Sequence, residues 1–139
     1  MKHLLRKTVN QAMMLVPGSI APENQYAKSV AALLCLVVSA DYEFEPNEFN
    51  SACNFIANDT FLREHGLTKR TVEYFRTYCN EIKKVMQTDS IDFPAVQLEL
   101  IAEVRDVTDE YKEQLQLLIN QLYPICAGKE IEVLNRINL

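Results

Sequence analysis

The sequence has few of the residues that catalytic and metal-binding motifs need. Its 139 residues include three glycines, two histidines and no tryptophan. It contains neither a glycine-rich loop that could cradle a phosphate nor an HExxH pair that could ligate zinc. Neither His3 nor His65 lies near a serine or cysteine in a nucleophile motif, and nucleophilic catalysis needs a base within hydrogen-bond reach. We therefore expect a protein that is not an enzyme, with both histidines at its surface.

The sequence also lacks an apolar run long enough to span a membrane, which takes roughly 20 residues. The longest run, residues 30–38, predicts a core helix. The apolar stretch at residues 13–16 is too short for the core of a signal peptide, so we expect the mature chain to start at or near Met1. Residues 1–20 have an amphipathic helical pattern that predicts docking on the rest of the protein, with peripheral membrane association as the alternative.

Cysteine is present but not in pairs. The four cysteines, Cys35, Cys53, Cys79 and Cys126, are far apart in the sequence and fall on the apolar sides of their segments. Because no CxxC motif or Cys/His cluster is present, the pattern predicts buried free thiols rather than disulfides or zinc ligands. Free thiols are typical of the reducing cytoplasm.

The charge is unevenly distributed, and this bears on the kind of partner. The net charge is −5, made up of +3 in residues 1–20, −5 in 21–60, +3 in 61–88 and −6 in 89–139. Because the chain is acidic overall, nucleic acid could bind only at one of the basic segments. Protein partners are therefore favoured. The pattern does not exclude a homo-oligomer. In the last segment the carboxylate spacing predicts solvated helix faces or an acidic partner surface at Glu99, Glu103, Asp106, Glu110 and Glu113.

Helical periodicity recurs from end to end, and the breaks between periodic runs carry helix-boundary residues. Pro22 and Pro46 suit first helical turns, Asp59 or Thr60 can cap a short helix, Gly66 can end it, and Pro124 should kink or end a later one. Thr108 is the predicted cap before that later helix. One all-α domain of about seven helices follows, with residues 1–20 as an N-terminal amphipathic helix and 22–139 as the bundle.

A helix-turn-helix outline appears in residues 61–75, "FLREHGLTKRTVEYF". Gly66 could make the turn, and the helix after it could present its basic residues, Lys69, Arg70 and Arg76, to DNA. Against DNA binding, Leu62 stands where such motifs usually have a small residue, and the chain is acidic. We keep this motif as an alternative to a plain turn between helices.

The stretch "VSADYEFEPNEF", residues 38–49, carries four carboxylates after the apolar run: Asp41, Glu43, Glu45 and Glu48. An EF-hand is excluded because Pro46 stands where its loop needs glycine and Ala52 where it needs the closing glutamate. Several carboxylates near one point suit a hard cation, so a weak calcium or magnesium site is predicted here. The alternative is that Glu45 and Glu48 only serve the start of the helix at Pro46.

The same stretch resembles the tellurite-resistance TerB-like family, in which an apolar helix runs into an alanine-aspartate-glycine turn followed by a helix bearing a glutamate. Ala40, Asp41 and Glu48 match, and Tyr42 replaces the glycine. The similarity spans about residues 26–137, and the late copy of the turn has degenerated around Gly128. The resemblance implies an all-helical bundle with internal pseudo-symmetry and a non-enzymatic bacterial stress-response component, cytoplasmic or at the inner membrane face. It also implies acidic surfaces that bind metal or partners.

The functional hypothesis is therefore a TerB-like binding or scaffold protein in bacterial stress or tellurite-type oxyanion resistance. It would act through its acidic surfaces on partner proteins or on a divalent cation. The helix-turn-helix regulator is the first alternative. The second is a small acidic immunity protein, because such chains suit basic toxin surfaces.

Overall fold

The computed structural model describes residues 21–88 and 93–139. Seven α-helices and one 3-10 turn follow one another, and no strand occurs within these two ranges. Their bounds are α1 Pro22–Val38, α2 Pro46–Asn58, α3 Thr60–Glu64, α4 Thr68–Thr88, α5 Phe93–Arg105, α6 Asp109–Leu122, the 3-10 turn Tyr123–Ile125 and α7 Lys129–Arg136. The predicted all-α bundle is confirmed. The predicted N-terminal helix at residues 1–20 lies outside the described residues.

The helices begin where local chemistry satisfies their first turns. Pro22 and Pro46 are each the first helical residue of α1 and α2, where proline's missing N–H is not needed. Asp59 caps α3, since its carboxylate accepts the Leu62 N–H at 2.9 Å. Thr108 precedes α6 as predicted, but its buried hydroxyl does not accept a capping N–H; the backbone carbonyl accepts instead.

The helix ends also follow the predicted breakers. After α3, Gly66 has φ +66°, the left-handed conformation in which glycine commonly terminates helices. Near the C-terminus, α6 ends at Leu122 and the chain tightens into the 3-10 turn that contains Pro124. Proline cannot donate to the helical ladder, which explains the change.

Helix α1 lies at the centre of the bundle and packs against α4, α5, α6 and α7. Its second half, residues 30–38, is entirely apolar, and eight of these nine residues are buried, as expected of a helix segment enclosed by the bundle. Neither α1 nor any other helix in the described ranges is long and apolar enough to cross a bilayer. The largest fully buried side chains among the described residues, three of which belong to α1 itself, are Tyr26, Leu33, Leu36, Ile56, Leu62, Phe75, Tyr78, Ile82, Phe93, Leu100, Leu115 and Leu118.

A buried ionic contact corrects the prediction that the carboxylates of α5 form a solvated face. Glu99 and Glu103 are 8% and 1% exposed. The Lys28 Nζ atom lies 3.5 Å from Glu103 Oε1, and the Tyr78 hydroxyl donates to the same oxygen at 2.7 Å. Glu103 shares the core-facing side of α5 with Leu100, and a buried carboxylate needs such charged and hydrogen-bonding neighbours. The contact joins α1, α4 and α5.

Candidate functional site: an acidic turn and groove

The turn between α1 and α2 has the backbone of a glycine turn although it carries a tyrosine. Tyr42 has φ +66°, a left-handed conformation that is unusual for a side chain of this size. The Asp41 carboxylate accepts the Glu43 N–H at 3.2 Å and so closes the turn locally. Tyr42 stands at the position where the TerB-like pattern has its glycine.

The Tyr42 ring makes two contacts that offset this backbone strain. It lies against Phe93 with a centroid distance of 4.5 Å, and the Lys129 ammonium is 5.3 Å from its centroid. These contacts tie the turn to the starts of α5 and α7, which fixes where the neighbouring carboxylates lie.

Four carboxylates act electrostatically on a fifth, Glu48, around this turn. Asp41, Glu43 and Glu45 are exposed, and Glu48 is half-buried. Burial raises the pKa of Glu48, and the charges of Asp41, Glu45, Glu130 and Glu43 raise it further. Glu130 comes from α7 and was not predicted, because no local pattern relates it to residues 41–48. The region is a concentration of like charge that would attract a cationic group.

The predicted ligands of a calcium or magnesium ion, Asp41, Glu43, Glu45 and Glu48, are therefore near one another. Within residues 21–88 and 93–139, however, no three carboxylate, imidazole or thiol side chains converge closely enough to ligate a metal. One Asp41 oxygen already accepts a backbone N–H. The cation site stays a prediction.

A groove of about 360 Å³ opens beside this cluster, between α1, α2, the 3-10 turn and the start of α7. We call it the acidic groove. Leu34 and Val37 of α1, Phe55 of α2 and Leu122 of α6 give it an apolar lining. Ile125 of the 3-10 turn also lines it and is 70% exposed, the largest exposure among the bulky apolar side chains described. Single exposed apolar side chains are common, but Ile125 adjoins the apolar lining of the groove and so extends it to the surface.

Two carboxylates stand in the lining of the groove. Glu48 is contributed by α2 and Glu130 by α7. Glu130 also accepts the Ala127 N–H at 2.9 Å, which holds the carboxylate at the start of α7. Beside it, burial and the Glu130 charge raise the pKa of the Cys126 thiol to about 11, so Cys126 is neutral at pH 7. The groove therefore combines an apolar lining with net negative charge.

The basic residues of the predicted helix-turn-helix lie in the first half of α4 and are not equivalent. Lys69 is exposed, whereas Arg70 is half-buried and donates to the Asn24 side chain of α1 at 3.2 Å. Arg76 is exposed and hydrogen-bonds Cys53. The helix before the turn, α3, has only five residues. DNA binding stays a prediction, and two of its three cations already have intramolecular partners.

His65 lies at the end of α3 and is exposed, as predicted. Its ring stacks on Phe61 with the centroids 4.1 Å apart. In the described part of the chain no hydrogen bond joins this ring to a serine or a cysteine, and the absence of enzymatic activity stays a prediction. His3 lies outside the described residues.

Comparison with known proteins gives no relative from which a role could be inferred. The chain matches no protein-family model, and neither the curated proteins nor the solved structures that were searched contain a match.

Proposed function

We propose that this protein is a non-enzymatic binding protein whose acidic groove accepts a basic, amphipathic segment of a protein partner. The observation that carries the proposal is that Glu48 and Glu130 both stand in the lining of a largely apolar groove. An apolar lining alone would suit many ligands. The two carboxylates favour a ligand that presents apolar groups and cations together.

The physical basis is the way an amphipathic helix or turn lies in a groove. Its apolar side chains would cover Phe55 and the exposed Ile125, and its lysines or arginines would approach Glu48 and Glu130. Burial, and after it the charges of neighbouring carboxylates, raise the pKa of Glu48, so a cation placed there would stabilise its ionised form. Charges at such a rim mainly set association rate and specificity, whereas the apolar contacts supply affinity.

The wider biological role is proposed from the family resemblance. The positive φ of Tyr42, at the position of the family's glycine, supports a TerB-like turn, and the all-α bundle agrees with that family's architecture. On this basis we propose a cytoplasmic, TerB-like scaffold in bacterial stress or tellurite-type oxyanion resistance. Its contribution would be to bind a partner through the acidic groove.

The test uses a synthetic 14-residue peptide of leucine and lysine at helical spacing as the probe. A peptide of the same composition, scrambled so that it has no apolar face, controls for charge alone. Titration calorimetry should show binding of the amphipathic peptide in the micromolar range, about −7 to −8 kcal/mol. The scrambled peptide should bind at least about tenfold more weakly, because it cannot cover the apolar lining.

Matched variants locate the binding. Ile125→Asp and the pair Glu48→Gln, Glu130→Gln should each weaken binding by about tenfold, roughly 1.4 kcal/mol. Leu98→Asp and Glu113→Gln are the controls, since they change an exposed apolar residue and an exposed carboxylate outside the groove. Both should leave peptide binding unchanged. Equal losses from the Leu98 and Ile125 variants would contradict the proposal. So would peptide binding that calcium at millimolar concentration abolishes completely, because the cluster would then be a cation site first.

A further inference from the structure

Two cysteines that are far apart in the sequence meet in the core. Cys35 of α1 and Cys79 of α4 are both 0% exposed, and their Sγ atoms are 3.6 Å apart. A disulfide is about 2.05 Å long, so the two sulfurs would have to approach by about 1.5 Å to become bonded. Closing the bond therefore requires side-chain rotation at one or both cysteines. Both cysteines are free thiols in this structure.

A third cysteine lies near this pair and is less buried. Cys53 of α2 is half-buried and hydrogen-bonds Arg76 of α4, which is about one helical turn from Cys79. The rings of Phe49 and Phe75 lie 5.2 Å apart and also join α2 to α4. Burial raises the pKa of Cys53, whereas Arg76 lowers it through its charge and a hydrogen bond. Cys53 is thus a slow nucleophile at rest, with a guanidinium in place to stabilise the thiolate when it forms.

We propose that Cys35 and Cys79 are a redox-modification site, which hydroperoxides oxidise to a disulfide through Cys53 as the outer thiol. Such a pair fits a reducing compartment, where disulfides are usually transient and redox-sensing. The pair lies 44 residues apart in the chain, so its oxidation would join α1 covalently to α4.

The reaction balances in three steps. The Cys53 thiolate attacks the hydroperoxide, whose O–O bond breaks, so that Cys53 becomes a sulfenic acid and an alcohol leaves after taking up a proton. The Cys79 thiol then attacks the Cys53 sulfur, forming a Cys53–Cys79 disulfide and releasing water. Finally the Cys35 thiol attacks the Cys79 sulfur, which forms the Cys35–Cys79 disulfide and returns Cys53 as a thiol. Overall the two buried thiols lose two electrons and two protons, and one hydroperoxide is reduced to alcohol and water.

The test is to treat the full-length protein with tert-butyl hydroperoxide under native conditions. Remaining thiols are alkylated after denaturation, and the cysteine peptides are mapped by mass spectrometry. We expect a Cys35–Cys79 cross-link, reversible by dithiothreitol, with Cys53 and Cys126 alkylated. Selective pairing distinguishes oxidation of the folded protein from oxidation after unfolding, because an unfolded chain would also cross-link Cys126.

Two serine variants test the role of the outer thiol. Cys53→Ser should slow formation of the cross-link by about tenfold or more, because the oxidant then has no partly exposed sulfur to attack. Cys126→Ser is the matched control, since Cys126 is also half-buried but lines the acidic groove, and it should leave the rate unchanged. Oxidation that stops at Cys53 with Cys35 and Cys79 still reduced would overturn the proposal. An unchanged rate in the Cys53 variant would also overturn it.

Discussion

The ammonium of Lys28 lies 3.5 Å from the carboxylate of Glu103, and their side chains are only 9% and 2% exposed. Charges with so little solvent must compensate each other, because the desolvation of either one costs several kcal/mol. The Tyr78 hydroxyl adds a hydrogen bond to the same carboxylate oxygen at 2.7 Å. The bundle therefore holds an ionic contact where three of its helices meet.

Lys28→Met should destabilise the protein by about 3 kcal/mol, since removing one member of a buried pair leaves the other without its countercharge. The measurement is urea unfolding at pH 7. Lys112→Met is the control, because Lys112 pairs with the exposed Asp109 at 3.0 Å and such surface pairs contribute less than about 1 kcal/mol. The double variant Lys28→Met, Glu103→Leu should lose less unfolding free energy than the sum of the losses in Lys28→Met and Glu103→Leu alone. An additive loss would mean that the pair is not coupled.

The raised pKa of Glu48 gives stability a definite dependence on pH. Above the ordinary glutamate pKa and below the raised one, the folded state binds more protons at Glu48 than the unfolded state. Stability therefore falls as pH increases through that window. Glu48→Gln should remove this component and be more stable than wild type at pH 7, by less than about 1 kcal/mol.

The check on Glu48 is the difference in unfolding free energy between wild type and Glu48→Gln, followed from pH 4 to pH 7. Groups that do not interact with Glu48 contribute equally to both proteins and cancel, so the difference reports Glu48 together with its neighbouring carboxylates. A difference that stays constant with pH would show that Glu48 titrates normally.

Tyr42→Ala should be less stable than Tyr42→Gly by about 1 kcal/mol. Both variants lose the ring contacts with Phe93 and Lys129, but only alanine retains a side chain at φ +66°. Gly66→Ala measures only the cost of placing a Cβ on a left-handed backbone, because Gly66 has the same φ and a Cβ there would meet nothing within 4 Å. Thermal unfolding of the three variants tests this order. A Tyr42→Ala protein as stable as Tyr42→Gly would contradict a left-handed backbone at residue 42.

Oxidation of Cys35 and Cys79 should stabilise the fold by up to about 4 kcal/mol, because a cross-link spanning 44 residues restricts the unfolded chain. Denaturant unfolding of the oxidised protein, with and without dithiothreitol, gives the difference. Strain in the closed disulfide reduces the gain. An oxidised form less stable than the reduced one would show that the helices must be distorted to form the bond.

The helices were predictable because their signals are local. Pro22, Pro46, Gly66 and Pro124 mark boundaries through their own backbone restrictions, and Asp59 caps the helix next to it. One capping detail differs, at Thr108, because its hydroxyl is buried away from the first turn of α6.

The contacts between elements were not predictable in the same way. Glu103 was assigned to a solvated face, although its position three residues after Leu100, on the apolar side of α5, was a signal that it needed a buried partner. Nothing local relates Glu130 to Glu48, or Cys35 to Cys79. These pairs exist because separate helices pack together, and helical periodicity contains no information about which helices meet.

Tyr42, at the acidic turn, can also serve as an intrinsic fluorescence probe. With six tyrosines and no tryptophan, its ultraviolet fluorescence comes from tyrosine alone. Tyr42 is 46% exposed, whereas the other five tyrosines are buried or half-buried. A neutral quencher such as acrylamide will therefore reach Tyr42 first, and the quenchable part of the emission reports on the turn beside the groove without any attached label.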